Sequence, residues 1–245
     1  MKKERLDEAL VRLQYADTPE LARAIIMEGR VFQNGNRLDK PAILLASDVG
    51  LTVKGDKLPY VSRGGLKLEK AIAAFGLTFE GKTCMDVGSS TGGFTDCMLQ
   101  KGAQKVYAVD VGYGLLDWKL RNDPRVVVME RTNARLLNPE MTGGERMDFA
   151  SMDVSFISIR TVLPAVRTCM KENAHLAVLV KPQFEARREQ VGKGGIVRDP
   201  KVHREVLETV IAAMPAIGLV PQGLTVSPIK GVGGNTEFLL HLINT

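Results

Sequence analysis

Five short apolar runs, separated by stretches of helical spacing, restrict the fold of this chain more than any other feature of its sequence. The runs occupy residues 83–87, 105–110, 125–129, 147–152 and 175–180. Strands this short and this apolar are typical of a parallel sheet that helices cover on both faces. Two further runs, residues 218–227 and 235–243, are joined by a loop too short for a crossover helix and should pair antiparallel. We therefore predict an α/β domain whose sheet is parallel except at its last strand.

The composition of the chain excludes several classes of protein. Hydrophobic residues make up 44% of the 245 residues and charged residues 25%, which excludes disordered and collagen-like chains. No apolar run approaches the roughly 18 uncharged residues of a membrane-spanning helix, and the charged start MKKERLDEAL is unlike a signal peptide. We therefore expect a cytoplasmic protein without membrane insertion. The three cysteines, Cys84, Cys97 and Cys169, form no CxxC pair and have no nearby histidine, so we expect no metal site.

Residues 1–59 have the pattern of a small α+β domain. Apolar residues recur with helical spacing in its first half, where Thr18 carries the signal that begins a second helix and Met27 is one of that helix's apolar positions. The tight-turn sequence Asn34-Gly35 then predicts a hairpin of short strands. This unit closes near residue 59, and we place the second domain at residues 60–245.

The most specific motif is the glycine-rich turn Asp86-Val87-Gly88-Ser89-Ser90-Thr91-Gly92-Gly93-Phe94-Thr95, between the first strand of the larger domain and the next helix. Glycines at such a turn let the backbone approach a ligand closely, and the following helix offers unpaired amides. Asp110, at the end of the second strand, is placed to accept hydrogen bonds from ribose hydroxyls. The GxxxGG spacing departs from the dinucleotide fingerprint, and the Asp86 carboxylate would repel a pyrophosphate but suit a cationic cofactor. The alternative is an ordinary strand-to-helix turn in which Asp86 is a cap or loop residue.

This turn resembles motif I of the class I S-adenosylmethionine-dependent methyltransferases, which have a Rossmann-like fold. The resemblance implies that S-adenosylmethionine is the cofactor. It also implies that Asp86 and the glycines border the methionine part of the cofactor and that Asp110 holds its ribose. The residues that it places at the cofactor are Asp86, Gly88, Ser89, Thr91, Gly92, Gly93, Phe94, Asp110 and Asp153.

The residues after the fourth strand indicate which group is methylated. Enzymes that methylate base amino groups resemble one another in an Asn/Asp-Pro-Pro-aromatic turn, whereas this chain has Asp153-Val154-Ser155-Phe156. Methylation of cytosine at carbon 5 needs a thiolate nucleophile, and no cysteine stands at the carboxyl end of a predicted strand. Both reactions are therefore disfavoured.

Charged residues stand instead at the strand ends, where open α/β sheets bind ligands. Asp153 follows the fourth strand, Lys181 follows the fifth, and Glu237 opens the last antiparallel strand. If that strand lies beside the fifth, the three side chains meet. Together with Lys67, from the helix before the sheet, they match the Lys-Asp-Lys-Glu tetrad of the FtsJ-like ribose 2′-O-methyltransferases. The alternative is that each residue belongs to a separate surface salt bridge.

The tetrad suits the reaction that the resemblance implies. A ribose hydroxyl is a weak nucleophile near neutral pH, and a neutral lysine can accept or orient its proton. We assign that role to Lys181. Lys67 then tunes Lys181 and stabilises the developing alkoxide, while Asp153 and Glu237 fix the lysines by ion pairing.

The N-terminal unit resembles the S-four-type RNA-binding module of ribosomal proteins and pseudouridine synthases. The chain has a net charge of +5, and residues 181–204 have the composition of a mobile basic loop over the site. Arg5 and Arg12, seven residues apart, are expected on one helical face. The alternatives are a solvated charged face and an ordinary flexible loop. The candidate RNA contacts are Arg5, Arg12, Arg23, Arg30, Arg63, Arg187 and Arg188.

An S-four-type module followed by an FtsJ-like domain is the combination found in the TlyA family, and the resemblance covers nearly the whole chain. It implies 2′-O-methylation of cytidines in the ribosomal RNA of ribosomal subunits, although some members are labelled haemolysins. The alternatives are a membrane-active haemolysin and a non-catalytic RNA-binding protein. The first would need an amphipathic or spanning segment, and the apolar runs are too short. The second would be favoured by loss of Lys181 or of the Gly88 loop, and both are present.

Overall fold

The computed structural model describes residues 3–13, 15–16, 18–46, 50–54 and 59–245, the side chain of Val232 excepted. The contacts divide the chain into two compact units, Met1–Ser62 and Arg63–Thr245. Each unit has a hydrophobic core of its own.

The first unit is a small α+β arrangement of helices and short strands. Its helices, within the described residues, are α1 (Leu6–Arg12) and α2 (Pro19–Met27). Its strands there are β1 (Lys3–Arg5), β2 (Val31–Gln33), β3 (Asn36–Leu38), β4 (Leu44–Ala46) and β5 (Thr52–Val53). β1 pairs with β4, and β2 lies between β3 and β5, with all pairs antiparallel.

Local sequence signals account for these elements. The Thr18 hydroxyl accepts a hydrogen bond from the amide three residues later and so caps α2. Asn34 and Gly35 take the left-handed backbone (φ 48° and 80°) that a tight hairpin requires. The prediction for Met27 was wrong, since its side chain is 72% exposed. Ile26, which is fully buried, continues the apolar stripe of α2 at helical spacing instead.

The second unit is built around one large sheet. Its helices are α3 (Gly64–Phe75), α4 (Gly93–Gln100), α5 (Trp118–Arg121), α6 (Ile159–Thr168), α7 (Pro182–Glu185) and α8 (Pro200–Ala213). Its strands are β6 (Thr83–Val87), β7 (Lys105–Val109), β8 (Val126–Met129), β9 (Met147–Met152), β10 (Met170–Val180), β11 (Leu219–Val226) and β12 (Phe238–Asn244). The strand order is β11-β12-β10-β9-β6-β7-β8, and only the pairs that involve β12 are antiparallel. The predicted α/β fold with an antiparallel last strand is confirmed.

The register of this sheet brings the functional strand ends together. Val87, at the end of β6, lies opposite Val109 of β7 and Met152 of β9. Val180, at the end of β10, lies opposite Phe238, where β12 begins. The residues that follow β6, β7, β9 and β10, and those that precede β12, are therefore neighbours at one edge of the sheet.

Two segments differ from the prediction. β10 begins at Met170, although the apolar run begins only at His175, because a register shift and the left-handed Asn173 (φ 59°) interrupt the apolar pattern between them. Residues 181–204, expected as one loop, contain α7, a single 3-10 turn and the start of α8. Both α7 and α8 have proline in the first turn, where its missing amide costs no hydrogen bond.

Two stacked imidazoles, those of His175 and His241, lie in the middle of β10, where its pairing with β12 begins. His175 Nδ1 and His241 Nε2 are 2.8 Å apart, so one neutral ring donates a hydrogen bond to the other. The His241 ring also stacks on Phe75 of α3, with centroids 5.1 Å apart. Burial lowers the pKa of both histidines from the ordinary 6.5.

This pair predicts how stability depends on pH. The unfolded chain protonates these rings at a higher pH than the folded chain does, so the free energy of unfolding should fall as the pH drops below about 6.5. His241→Phe keeps a ring between Phe75 and His175 but removes one titrating group, and should make the fall smaller. Urea unfolding between about pH 7.5 and about pH 5.5 measures both proteins. Equal pH dependence in the two would contradict the expectation.

Candidate active site

A cleft of about 600 Å³ opens at the carboxyl edge of the parallel strands. Some of its lining residues belong to the predicted cofactor set, and others adjoin members of that set in the sequence. The residues of the first kind are Gly88, Asp110 and Asp153, and those of the second kind include Ser90, Ser155 and Phe156. Sequence reasoning did not select the second group, although each lies within three residues of a selected one.

Gly88 brings the loops after β6 and β9 into direct contact. Its backbone is left-handed (φ 80°), and a Cβ added there would lie 2.6 Å from the carbonyl oxygen of Asp153. Its amide donates to the carbonyl of Val109 at 2.8 Å, which ties the loop to β7. A side chain at this position would therefore push apart two walls of the cleft.

Asp110 organises the opposite side of the same loop. Its carboxylate accepts hydrogen bonds from the amides of Ser90 (2.8 Å) and Gly112 (2.7 Å). Ser90 itself has a left-handed backbone (φ 49°). Each carboxylate oxygen can accept a second hydrogen bond, so Asp110 can still receive hydroxyl donors in the cleft.

Asp86 lies beneath the loop rather than in the cleft. Its carboxylate accepts hydrogen bonds from the amide (2.9 Å) and hydroxyl (2.7 Å) of Thr95 and from the Ser151 hydroxyl (3.0 Å). Burial raises the pKa of Asp86 to about 6. The hydrogen bonds from Thr95 and Ser151 favour the charged form and lower the pKa, but burial has the larger effect. The carboxylate thus holds the first turn of α4 from a position within β6, where it is neither the N-cap, which is Gly92, nor a loop residue, and it does not line the cleft.

The other predicted cofactor residues support the loop from behind. Ser89, Gly93 and Phe94 are buried, and Thr91 is half-buried. A Cβ on Gly92 (φ 93°) would overlap leucine side chains near α5, so this glycine permits close packing on the side away from the cleft. The residues outside the cleft lining are Ser89, Thr91, Gly92, Gly93 and Phe94.

The four tetrad residues meet at the same edge of the sheet. Lys67 Nζ donates to Asp153 Oδ2 at 3.0 Å and to Glu237 Oε2 at 2.8 Å. Lys181 Nζ lies 2.6 Å from Asp153 Oδ1 and donates to Ser155 Oγ at 2.9 Å. The order Glu237, Lys67, Asp153, Lys181 therefore alternates in charge along one connected network, unlike a set of separate surface salt bridges.

Burial and charge compete within this network. Lys67 is 13% exposed and Glu237 only 3%. Burial opposes the charged form of Lys67, but the carboxylates of Asp153 and Glu237 outweigh it and hold its pKa above the ordinary value. Burial likewise opposes ionisation of Asp153, yet Lys67 and Lys181 hold the pKa of this carboxyl below its usual range. Lys67 is therefore a fixed positive charge at neutral pH.

A pair of aromatic side chains, one exposed and one half-buried, lies beside Lys181. Phe156 has a left-handed backbone (φ 64°) and is 90% exposed. Its ring centroid is 5.1 Å from that of Phe184, and the Phe184 centroid is 5.9 Å from Lys181 Nζ. The only sequence signal for this pair is its position shortly after Asp153 and Lys181.

The predicted RNA-contacting arginines of the first unit are held by carboxylates. Arg5 is the N-cap of α1 rather than part of it, so the expected helical face shared with Arg12 was wrong. Arg5 and Arg23 both bond to Asp7, at 2.9 and 3.1 Å, and Arg12 pairs with Glu4. The hydrogen bonds from Arg5, helped by Arg23, lower the pKa of Asp7 to about 2 despite its burial. The three arginines remain partly exposed.

The remaining candidate arginines lie in varied settings. Arg30 donates to the carbonyl of Lys54 at 2.7 Å. In the second unit Arg63, Arg187 and Arg188 are exposed, and Arg187 lies 3.6 Å from the carboxylate of Glu189.

The described residues contain no group of three or more histidine, cysteine, aspartate or glutamate side chains arranged to hold a metal ion. Among the helices of those same residues, none combines the length and apolar character that crossing a membrane requires.

The sequence of this chain matches the models of two protein families. Residues 60–244 match the model of the FtsJ-like methyltransferases, and residues 4–48 match the S4 domain. The chain belongs to the FtsJ-like methyltransferase family. Its mostly parallel seven-stranded sheet is that of the class I methyltransferases, and an S4 domain precedes it.

Named relatives of this FtsJ-like methyltransferase cover nearly its whole length. YqxC of Bacillus subtilis, a candidate rRNA methyltransferase, is 57% identical over 98% of this chain and 86% of its own. The 16S/23S rRNA (cytidine-2′-O)-methyltransferase TlyA of Mycobacterium tuberculosis is 45% identical over 98% of this chain and 90% of its own. A solved structure of a candidate haemolysin from Streptococcus thermophilus is 49% identical, with a TM-score of 0.80, and covers 100% of this chain and 90% of its own.

Proposed function

We propose that this FtsJ-like methyltransferase transfers a methyl group from S-adenosylmethionine to the ribose 2′-hydroxyl of cytidine in the ribosomal RNA of ribosomal subunits. The observation that carries the proposal is the connected network of Lys67, Asp153, Lys181 and Glu237 at the cleft. The 45% identity with TlyA of M. tuberculosis supports the choice of RNA and nucleoside.

The cleft fits S-adenosylmethionine, and the fold implies that cofactor. Gly88 leaves open the space that a Cβ would fill, and Asp110 presents a carboxylate that can accept ribose hydroxyls. Asp153 also lines the cleft and adds negative charge, which suits a cationic ligand. When bound, S-adenosylmethionine supplies an electrophilic methyl group on a sulfonium. Asp86 supports the loop from below and orients the first turn of α4.

Asp110→Ala should weaken cofactor binding. The substitution removes the proposed ribose acceptor and also frees the Ser90 and Gly112 amides, which shape the loop. Loss of a charge-assisted hydrogen bond costs about 1 to 3 kcal/mol, which corresponds to a loss of affinity between about fivefold and about 150-fold. Titration calorimetry with S-adenosylmethionine measures the change, and Asp123→Ala, on the exposed turn before β8, serves as the control. Unchanged affinity in Asp110→Ala would remove the ribose assignment.

Lys181 acts on the ribose hydroxyl. In its neutral form its amine accepts the hydroxyl proton as the oxygen attacks the methyl group. Lys67, held charged between Asp153 and Glu237, stabilises the alkoxide character that develops on the oxygen. The two carboxylates fix both lysines and balance their charge, so the network need not reorganise during the reaction.

In this proposal the base of the target cytidine stacks on the aromatic side chains of Phe156 and Phe184. Phe156 projects into solvent at the cleft and pairs with Phe184, which lies close to Lys181. Unpaired bases stack on exposed aromatic side chains in RNA-binding proteins. A cytidine stacked on this pair would present its ribose near the Lys181 amine.

The N-terminal part supplies affinity for RNA in this proposal. We assign residues 1–59 to the RNA-binding domain and residues 60–245 to the methyltransferase domain, with the match to the S4 domain as support. The partly exposed Arg5, Arg12 and Arg23 are the candidate phosphate contacts there. A substrate of this kind implies action in the cytoplasm.

The alternatives that the sequence left open are not favoured. A non-catalytic RNA-binding protein has no need for a connected network of two carboxylates and two lysines beside a cofactor-sized cleft. Membrane lysis gains no support from the methyltransferase model, which matches residues 60–244.

Methyl transfer to purified ribosomal subunits that lack 2′-O-methylation tests the proposal. Label from methyl-labelled S-adenosylmethionine should enter the RNA and remain in alkali-resistant dinucleotides, because a 2′-O-methyl group blocks alkaline cleavage at that ribose. Nuclease digestion should then release labelled 2′-O-methylcytidine. Free cytidine is the control and should not be methylated. Label on a base, or none in either subunit, would contradict the proposed function.

A further inference from the structure

Ser155 contacts the lysine that handles the ribose proton, although it is not one of the four tetrad residues. It lies two positions after Asp153, is exposed and lines the cleft. Its Oγ accepts a hydrogen bond from Lys181 Nζ at 2.9 Å. We propose that Ser155 is a positioning residue that fixes the direction of the Lys181 lone pair toward the ribose hydroxyl. The inference rests on the proposed function.

Two contacts determine how the Lys181 amine is oriented. A neutral amine has two N–H donors and one lone pair in a tetrahedral arrangement. Lys181 Nζ donates a hydrogen bond to Ser155 Oγ at 2.9 Å, and Asp153 Oδ1 lies 2.6 Å from Nζ as an ion-pair contact without hydrogen-bond geometry. With one N–H group directed at Ser155, the lone pair of the neutral amine takes the position that faces away from the Asp153 carboxylate. Asp153 alone would leave the amine free to rotate about the Cε–Nζ bond, and Ser155 removes that freedom.

The loop that carries Ser155 is fixed at a second point. The Glu185 carboxylate accepts hydrogen bonds from the Ser158 hydroxyl at 2.6 Å and from the Ile159 amide at 2.7 Å. Glu185 ends α7, the helix that starts immediately after Lys181. The segments after β9 and after β10 are therefore joined twice, by Lys181 with Ser155 and by Glu185 with Ser158.

Phe156 lies between these two connections, and its backbone shows that the loop is constrained. A phenylalanine in the left-handed region (φ 64°) is a conformation that the surrounding structure must impose. Because both ends of this short turn are bonded to the segment after β10, Ser155 cannot follow a rotating amine. The Ser155 hydroxyl is thus an acceptor whose position the loop fixes.

Three substitutions of Ser155 separate its hydroxyl from its bulk. Ser155→Ala removes the acceptor, Ser155→Cys keeps the size but offers a weak acceptor, and Ser155→Thr keeps the hydroxyl. With saturating cofactor and subunits, the single-turnover rate should fall by about tenfold to a hundredfold in the first two variants, the effect of a slightly misdirected group. Ser155→Thr should retain most of the wild-type rate. Thr161→Ala, an exposed hydroxyl in the first turn of α6, is the matched control and should leave the rate unchanged.

A readout without cofactor tests the same contact directly. In its protonated form Lys181 donates the same hydrogen bond to Ser155 Oγ, and nitrogen-15 relaxation of this ammonium group reports how fast it rotates about the Cε–Nζ bond. The rotation should be slow in the wild-type chain and in Ser155→Thr. It should be several times faster in Ser155→Ala, where only Asp153 holds the amine. Because Ser155 also lines the cleft, calorimetry with S-adenosylmethionine on each variant sets the cofactor concentration that saturates it, so the rates compare the lysine alone.

The outcomes distinguish this inference from the proposed function. Wild-type chain that fails to methylate ribose in subunits contradicts the proposed function, whatever Ser155 does. If the wild type is active, a Ser155→Ala rate within about twofold of it, with unchanged ammonium rotation, would overturn the positioning role. Equal losses in Ser155→Ala and Ser155→Thr would also overturn it, because the hydroxyl would then not be the group that matters.

Discussion

Lys181→Ala is expected to lower the single-turnover rate of methyl transfer by about a thousandfold, the range of a lost general base. The amine lies 2.6 Å from Asp153 and 2.9 Å from Ser155, and in the proposed function it acts on the ribose hydroxyl and not on the cofactor. Affinity for S-adenosylmethionine should therefore be nearly unchanged. Rapid-quench transfer to ribosomal subunits measures the rate, and calorimetry measures the affinity.

Lys171 provides a matched control for this experiment. It lies near the start of β10, the strand that ends just before Lys181, and pairs with Asp148 at 2.7 Å on the exposed surface. Lys171→Ala removes a lysine of the same strand and should keep the wild-type rate. If Lys181→Ala transfers methyl groups at a rate close to that of this control, Lys181 is not the group that handles the proton.

Gly88→Ala should strongly weaken cofactor binding and lower activity with it. The substitution forces an L-residue into a left-handed backbone, which costs about 1 kcal/mol by itself. It also sets a Cβ 2.6 Å from the Asp153 carbonyl oxygen, a backbone atom that cannot move aside as a side-chain tip can. We expect affinity for S-adenosylmethionine to fall by about a hundredfold or more, equivalent to at least about 2.8 kcal/mol.

The control for Gly88 is Gly143, which has a similar left-handed backbone (φ 65°) but no atom within 4 Å of the position of its Cβ. Gly143→Ala carries the backbone cost without the overlap. Calorimetry and thermal unfolding of both variants separate the two effects. Should both variants bind cofactor equally well, the close approach of the loops after β6 and β9 does not shape the cofactor site.

The sequence predicted the parts of the site that depend on topology. Apolar runs identify buried strands, and parallel strands end at one edge, so Asp110, Asp153 and Lys181 had to be neighbours if the fold was right. The short connection before the last strand predicted that this strand pairs antiparallel, and that pairing brings Glu237 to the same edge of the sheet. Lys67 came from the resemblance alone, since nothing in its own helix marks it.

Sequence patterns did not predict how individual side chains and loop residues are oriented. The motif left open whether Asp86 faces the cofactor or caps α4, and only the Thr95 and Ser151 hydroxyls decide that it turns inward. The left-handed backbone of Phe156 has no residue signature, because phenylalanine rarely adopts it. The pairing of Arg5 with Asp7 likewise depends on how the chain enters α1.

Asp153 belongs to two surfaces at once. Its backbone carbonyl packs on Gly88 at the cofactor loop, and its carboxylate holds both lysines of the network. The cofactor subsite and the ribose subsite therefore lie on either side of Asp153. A bisubstrate inhibitor, which joins a methyl-donor half to a ribose half, would need to bridge only this one residue. A short, stiff linker would lose less entropy on binding than a flexible one, and a cationic group at the junction would meet the Asp153 carboxylate.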